Sequence, residues 1–541
     1  MFNWQMKADT PPKPDDEEIK SALRHVTQPV FLLDVDGKLA VGKGELITSN
    51  QVRPPNTAKC YPVAAYAPAL APQSLGDNQF KKRHGLRYAY IVGAMANGIT
   101  SVEMVEAAGH NGMLGFFGAA GLELDTVEDA VVRLQNSLKD LPYGFNLIHN
   151  PNEPDFEFAL VELYLKHKVR LISASAYMRL TSALVYYRVK GIHQEQNGNI
   201  VCPNKIIAKV SRVEVAQHFF SPPPEKILQQ LLAKNKITQE EAVLACLIPM
   251  ADDLTAEADS GGHTDNRPAI TLLPTMLNLR NRITQKYNYA HTPCVGLAGG
   301  IATPQSAAAA FAMGAAYILT GSVNQACVEA GVSEAARLLL AEVQQADVTM
   351  APSADMFEMG VKVQVLKRGT MFAVRAAKLY ELYRNYDCFD DIPEKQRHHV
   401  EQRILQARFE LAWQETRRFF ETRDAGQIKR ALNNPKHQMA LVFRSYLGRS
   451  SNWAITGEPS RKMDFQIWCG PAMGAFNEWV KGSFLEKSEN RKTVTVGLNL
   501  LLGAAIQTRV NWLRLQGIRL PAGSDIFTPL RFSKIASLLE D

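Results

Sequence analysis

From about residue 86 the chain alternates short apolar, β-rich runs with stretches of helical period. The runs lie at 88–92, 113–117, 144–148, 169–174, 205–210, 245–251, 294–297 and 317–320. Helix-like stretches at 101–107, 126–138, 156–166 and 304–313 fall between them. Near-continuous apolar strands alternating with helices predict parallel βαβ units buried on both faces. Eight such units match a TIM (β/α)8 barrel, with a doubly wound open sheet as the alternative. The sixth run is the weakest, because Pro249 interrupts it.

The flanks have a different pattern. Runs at 30–33 and 38–41 flank Asp36-Gly37, a hairpin signal, since these residues tolerate the positive φ of a tight turn. Pro11, Pro12 and Pro14 beside Asp15, Asp16, Glu17 and Glu18 read as a frayed leader. Pro54, Pro55, Pro62, Pro68 and Pro72 then punctuate an irregular segment. Pro222, Pro223 and Pro224 open a helical insert near 222–245, a lid or small subdomain on a barrel loop. Beyond about Ala351 the strand signals largely disappear, and 372–386 and 393–423 read as amphipathic helices. The fold class is therefore α/β: a β-containing appendage over 1–85, a TIM barrel over 86–350 and a mostly helical region over 351–541.

Composition narrows the function. The 541 residues are 46% hydrophobic and 21% charged, an ordinary globular balance. A net charge of +6 is small for this length and argues against a dedicated nucleic-acid binder. The seven cysteines are dispersed without CxxC spacing, which suits reduced thiols in a cytoplasmic protein and neither a disulfide frame nor a metal site. The N-terminus lacks an apolar signal core. No uncharged apolar run approaches the roughly 20 residues that span a bilayer; the longest, 494–506, is broken by Gly497, Asn499 and Gly503.

Candidate chemistry lies where barrel loops are expected. Gly299-Gly300-Ile301-Ala302-Thr303-Pro304 follows the seventh run and precedes an Ala-rich helix. Adjacent glycines let an anion approach backbone N–H groups, and the helix start adds a positive dipole end. Thr303 and Pro304 suit the N-cap and the first helical position. Thr320-Gly321-Ser322 follows the eighth run, and loops after strands seven and eight of such barrels commonly hold phosphate. Tight turns alone would also explain these glycines, although two in adjacent loops weigh against that. Glu257-Ala258-Asp259-Ser260-Gly261-Gly262-His263 offers a histidine where catalytic groups sit. A purely structural histidine is the competing explanation. His110 reads as structural, and His398 and His399 as solvated. GAMANG (93–98) leaves room for a flat ring or simply packs tightly. The phosphate-loop, zinc-protease, dinucleotide-fold and nucleophile-elbow motifs are all missing from the sequence.

The ordered series GAMANG (93–98), GFNLIHN (144–150), AKVS (208–211), EADSGGH (257–263), GLAGGIATPQ (296–305) and ILTGSVNQ (318–325) resembles the nitronate monooxygenase-like flavin barrels. With WCGPAMGAFNEW (468–479), nearly the whole chain is similar to the PfaD family, the FMN-dependent trans-acting enoyl reductases of bacterial polyunsaturated fatty acid and polyketide synthases. The resemblance implies FMN, with Gly299, Gly300, Thr320, Gly321 and Ser322 at its phosphate. It places Ala94, Met95 and Asn146 beside the ring, Gly261 and Gly262 among the cofactor-binding residues, Lys209 at the pyrimidine end, and His263 as the catalytic group. One departure is that Asp259-Ser260 stand between Glu257-Ala258 and the Gly-Gly-His triplet, which leaves Glu257 and Asp259 without assigned roles.

The implied reaction is NADPH-dependent reduction of a trans-2-enoyl thioester on an acyl carrier protein, in lipid or polyketide biosynthesis. Neither a membrane nor a nucleic acid is implied as a partner, and a homodimer is left open. Arg417, Arg418, Lys429, Arg430, Arg444 and Arg449 are candidates for docking the acidic carrier, or ordinary solvated positions. The competing functions are a nitronate-type flavin oxidase, a flavin-free barrel for a phosphorylated metabolite, and a non-catalytic assembly subunit.

Overall fold

The computed structural model describes residues 4–8, 11–48, 59–149 and 154–540. An antiparallel N-terminal sheet is built from β1 (Trp4–Ala8), β2 (Val30–Val35), β3 (Lys38–Val41), β4 (Glu45–Thr48) and β5 (Lys59–Ala67), in the order β3-β2-β5-β1-β4. The β2–β3 turn forms as expected, with Asp36 at φ 53° and Gly37 at φ 79°. Two expectations fail here. The segment read as a frayed leader is ordered: ahead of it β1 pairs with both β4 and β5, and within it Asp15 caps the helix Asp16–Arg24 by accepting from the Glu17 and Glu18 amides. The segment read as irregular contains the nine-residue β5, with Pro62 inside it. Pro62 lies just beyond the stretch of β5 that pairs with β2, so its missing N–H leaves that ladder intact. Pro54 and Pro55 fall outside the described residues.

The barrel is closed and parallel throughout. Its strands are β6 (Tyr90–Val92), β7 (Leu114–Phe117), β8 (Gly144–Ile148) and β9 (Leu171–Ser175), then, after a small hairpin of β10 (His193–Gln194) and β11 (Ile200–Val201), β12 (Lys205–Val210), β13 (Asp253–Glu257), β14 (Cys294–Ala298) and β15 (Ile318–Thr320). β15 returns to pair with β6. The expected sixth strand at 245–251 is a correction. That segment holds the end of the helix Gln239–Ala245, which Thr238 and Glu241 cap, and the turns after it. The strand is β13, which opens on Asp253 and so escapes a search for apolar runs. The helices Glu225–Ala233 and Gln239–Ala245 lie between β12 and β13.

Asp253 shows why a charge can sit inside a barrel. It is fully buried and accepts from Arg83 at 2.6 Å, His84 at 2.6 Å and the Cys294 amide at 2.9 Å. Burial alone would raise its carboxyl, but His84 and Arg83 outweigh burial and hold it below the ordinary carboxylate range. Both partners belong to the helix Asn78–His84, which closes the barrel floor. Phe80 of that helix stacks on Tyr317 at 4.1 Å, within an interior that includes Ile91, Leu114, Phe116 and Ile207.

After the barrel, β16 (Val348–Pro352) and β17 (Lys362–Leu366) form an antiparallel hairpin, so strand structure persists beyond residue 351. The stretch expected as one helix at 393–423 is broken. The helix Glu394–His399 runs into a π-helical turn, Val400–Leu405, and Gln406 at φ 57° separates it from Phe409–Arg423. The run at 494–506 lies in the helix Thr493–Leu515, which is buried at nearly every position up to Val510 and packs along the barrel helix Pro304–Ala312. Its Arg509 donates to the carbonyls of Leu23, His25 and Gln28, tying the C-terminal region to the N-terminal appendage. Burial pushes this guanidinium down to about 10. Among the described residues no helix is long and apolar enough to cross a membrane.

Asp253→Asn removes the buried carboxylate that Arg83 and His84 share and should cost about 3–5 kcal/mol, read by denaturant unfolding at pH 7. The folded carboxyl titrates below the unfolded one, so its contribution is present at neutral pH. The gap between wild type and variant should therefore narrow as pH falls below about 4.

Candidate functional site

Alternation along the barrel strands decides which side chains enter the lumen. In β12, Ile206, Ala208 and Val210 join the outer core and Ile207 the inner one, so Lys209 points inward at the C-terminal mouth. In β13, Leu254 and Ala256 face out, so Glu257 points inward beside it. The Lys209 ammonium donates to Glu257 Oε1 at 2.7 Å. Asn146, inward on β8, donates its amide to the Ser173 carbonyl at 3.2 Å and to Ser175 Oγ at 3.0 Å. Lys209, Glu257 and Asn146 are thus brought together at one end of the barrel.

The glycine loops line the same end. Gly299 has φ 84°, and a Cβ there would stand 2.6 Å from the Ala258 carbonyl carbon. This contact locks the β14 loop to the β13 loop. At Gly300 and Gly321 nothing among the described residues lies within 4 Å of where a Cβ would stand, so both backbones are open to approach. Thr303 and Ser306 form a capping box, with Pro304 in the first helical turn, as expected. Thr320 is set apart from the group. It is buried on the outer side of β15, and its hydroxyl is shared with Tyr90 at 2.6 Å and the Asn324 amide at 2.8 Å. Ser322 Oγ accepts from the Gly470 amide at 3.3 Å. Ala94 and Met95 lie half-buried in the β6 loop, which Thr100 pins by accepting from the Met95 amide and donating to the Gly93 carbonyl.

The loop carrying His263 is gripped by the region after the barrel. Gly262 and Gln364 of β17 exchange backbone bonds of 2.9 and 2.7 Å. A Cβ on Gly261 would stand 2.7 Å from the Cys469 amide nitrogen, which accounts for glycine there by packing. The Gln364 side-chain amide holds Asp259 Oδ1 at 3.0 Å and the Ser260 carbonyl at 2.8 Å, which gives Asp259 a structural task. At the loop's far end Asp265 takes a bidentate pair from Arg212, at 2.8 and 2.9 Å, and a bond from Ser211. The Arg212 pair outweighs burial and holds the Asp265 carboxyl down to about 2. His263 Nε2 lies 3.2 Å from Ser353 Oγ and 3.3 Å from Asp355 Oδ1. Burial would raise the Asp355 carboxyl; His263 and Ser353 overcome that and bring it to about 2.

A barrel with a lumenal Lys–Glu pair, open glycine backbones after its last two strands and a mouth histidine can now be compared with known proteins. Residues 79–382 match the family described as nitronate monooxygenase. The chain belongs to the nitronate monooxygenase family. Residues 386–465 match the inserted helical domain of acyl-carrier-protein S-malonyltransferase. Two curated relatives are each 46% identical over 81% of this chain: the polyketide biosynthesis protein PksE of Bacillus subtilis and a polyunsaturated fatty acid synthase component of a Thraustochytrium species. The chain spans 57% and 30% of their respective lengths. The crystal structure of the enoyl reductase domain of MlnA, from the macrolactin cluster of Bacillus amyloliquefaciens, is 40% identical with a TM-score of 0.77. That similarity covers 82% of this chain and 99% of that domain. These relatives agree with the family resemblance in the motifs.

Several groups at the mouth escaped the sequence reading. Ser353, Asp355 and Gln364 come from a hairpin distant in sequence, and no local spacing points to them. His149 stood within a quoted motif at a strand end and could have been singled out. Its Nδ1 lies 3.1 Å from Glu157, a buried carboxylate that also accepts from Tyr177 and Thr181.

Gly299→Ala would drive a methyl into the Ala258 backbone and also bear the left-handed conformation, itself worth about 1–2 kcal/mol. Gly300→Ala bears only the second cost. Denaturant unfolding should rank Gly299→Ala clearly less stable than Gly300→Ala.

Proposed function

We propose that this chain is an enoyl reductase that uses NADPH and FMN to reduce trans-2-enoyl thioesters on acyl carrier protein domains, in polyunsaturated fatty acid or polyketide synthesis. The observation that carries the reading is the 40% identity to an enoyl reductase domain covered almost end to end. The residues present fit FMN. The open backbones at Gly300 and Gly321 suit a phosphate, and the lumenal Lys209 offers a cation, and Asn146 the carbonyl oxygen of its side chain, to a polar ring edge. Ser322 would add a hydroxyl, whereas the Thr320 hydroxyl is already engaged, so only its backbone remains for this role.

FMN held there would supply hydride chemistry, passing a hydride from NADPH to the thioester's β-carbon. The chain's own part is electrostatic. Negative charge develops on the thioester oxygen, and a donor preorganised there lowers the barrier. His263, half-exposed at the mouth, is placed to hydrogen-bond that oxygen or to hand its proton to the α-carbon. Lys209, tethered by Glu257, is placed to balance charge accumulating in the lumen. The helical segment 386–465, similar to part of a carrier-protein-dependent transferase, is the proposed docking region. Of the basic candidates, Arg417, Arg444 and Arg449 are paired with Glu421, Glu358 and Glu415, which leaves the exposed Arg418, Lys429 and Arg430 to meet an acidic partner.

An anaerobic titration followed by visible absorption tests the reading. The purified chain should show an oxidised-flavin spectrum that bleaches with NADPH and returns with a carrier-linked trans-2-enoyl thioester. Recovery with oxygen alone would favour the oxidase chemistry of the family's name. No flavin, even after FMN is added, would overturn the reading. His263→Ala should keep its flavin and slow thioester reduction about 10²–10⁴-fold; unchanged turnover would remove His263 from the reaction.

A further inference from the structure

His263 does not stand alone at the mouth, and its neighbours constrain which nitrogen can serve the substrate. Ser353 Oγ donates to Asp355 Oδ1, so its proton is already spent. Toward His263 Nε2, 3.2 Å away, Ser353 can then only accept. The Asp355 carboxylate, 3.3 Å from the same nitrogen, also accepts only. Two acceptors on one ring nitrogen require that nitrogen to carry the hydrogen. We propose that Asp355 is a positioning residue that fixes His263 with its hydrogen on Nε2, so that Nδ1 is the nitrogen turned to the thioester. This inference rests on the reading of His263 given above.

The arrangement is held by backbone. Gly262 is bonded in both directions to Gln364 of β17, and Ser353 begins the turn that joins β16 to β17, its amide bonded to the Val361 carbonyl at 2.9 Å. One hairpin therefore grips the loop of His263 and also presents the carboxylate, which fixes their separation. In proton transfer the Nδ1–H bond breaks and a C–H bond forms at the α-carbon, while the hydride at the β-carbon comes from NADPH through the flavin. The imidazolium becomes a neutral ring with its remaining hydrogen on Nε2, the form that Asp355 and Ser353 accept from. The side chains of His263 and Asp355 are 45% and 54% exposed, so the pair adds little to folding and can be cut without unfolding the chain.

The test uses the full chain loaded with FMN and compares Asp355→Asn, Asp355→Glu, His263→Ala and the double variant H263A/D355N. Asp355→Asn should keep its flavin and its rate of reduction by NADPH, yet lower kcat for the thioester about 10- to 100-fold with KM nearly unchanged. Asp355→Glu should recover most of that loss. The double variant should be no slower than His263→Ala, because the two residues act as a unit. The ¹⁵N resonances of His263 in neutral form, assigned against His263→Ala, should report Nε2–H in the wild type and a mixture of tautomers in Asp355→Asn. Full turnover in Asp355→Asn, a further loss in the double variant, or Nδ1–H in the wild type would each overturn the proposal. If the wild type reduces no enoyl thioester, the parent reading falls and the spectrum alone decides the pair: Nε2–H upholds it and Nδ1–H sinks it.

Discussion

Two backbone hydrogen bonds between Gly262 and Gln364 join the barrel mouth to the region that follows it, and the candidate site depends on that joint. A long loop after a barrel strand has high conformational entropy, and a catalytic histidine on such a loop would sample many positions. Here the loop is held at three points. Arg212 and Ser211 clamp Asp265, Gln364 holds Asp259 and Ser260, and the Cys469 backbone lies against Gly261. The same hairpin that makes the joint faces His263 with Ser353 and Asp355. The part of the chain outside the barrel is thus structurally part of the mouth.

The two ends of the barrel handle charge in opposite ways. At the floor, Asp253 is sealed from water and fully matched by Arg83, His84 and a backbone amide, an arrangement suited to permanence. At the mouth, Lys209 and Glu257 form a single pair that retains some solvent access. A partly solvated pair can exchange partners when a charged ring or thioester enters, whereas the floor cluster could not do so without exposing a buried ion. This asymmetry fits a fold whose chemistry sits at the C-terminal ends of the strands.

The regions flanking the barrel also meet. The helix Thr493–Leu515 lies along Pro304–Ala312, the helix that follows the open glycine turn, and its Arg509 gathers three carbonyls from the N-terminal appendage. The two terminal nitrogens of Arg509 meet fixed acceptors, which offsets much of the cost of burying the guanidinium, while its buried Nε has no partner among the described residues. The result is a scaffold in which the helix behind the proposed phosphate site is braced from outside the barrel.

Much of this was legible in the chain itself. Alternating apolar runs and helical stretches pointed to parallel βαβ units, because strands buried on both faces must be apolar, while the pairing of β15 with β6 decided for a closed barrel over an open sheet; the Asp36-Gly37 turn and the Thr303-Pro304 helix start have local causes. The motif series determined the family and singled out Lys209, Asn146, His263 and the glycine loops as candidates. β13 was misplaced because its first residue is a charge, tolerable only through Arg83 and His84, which come from a helix about 170 residues earlier. Only the tertiary structure turned the Thr320 hydroxyl away from the mouth, since the parity of a three-residue strand depends on its register with β6. It alone supplied Ser353 and Asp355 to His263 across some 90 residues, because a hydrogen bond between distant segments leaves no spacing for a sequence to display.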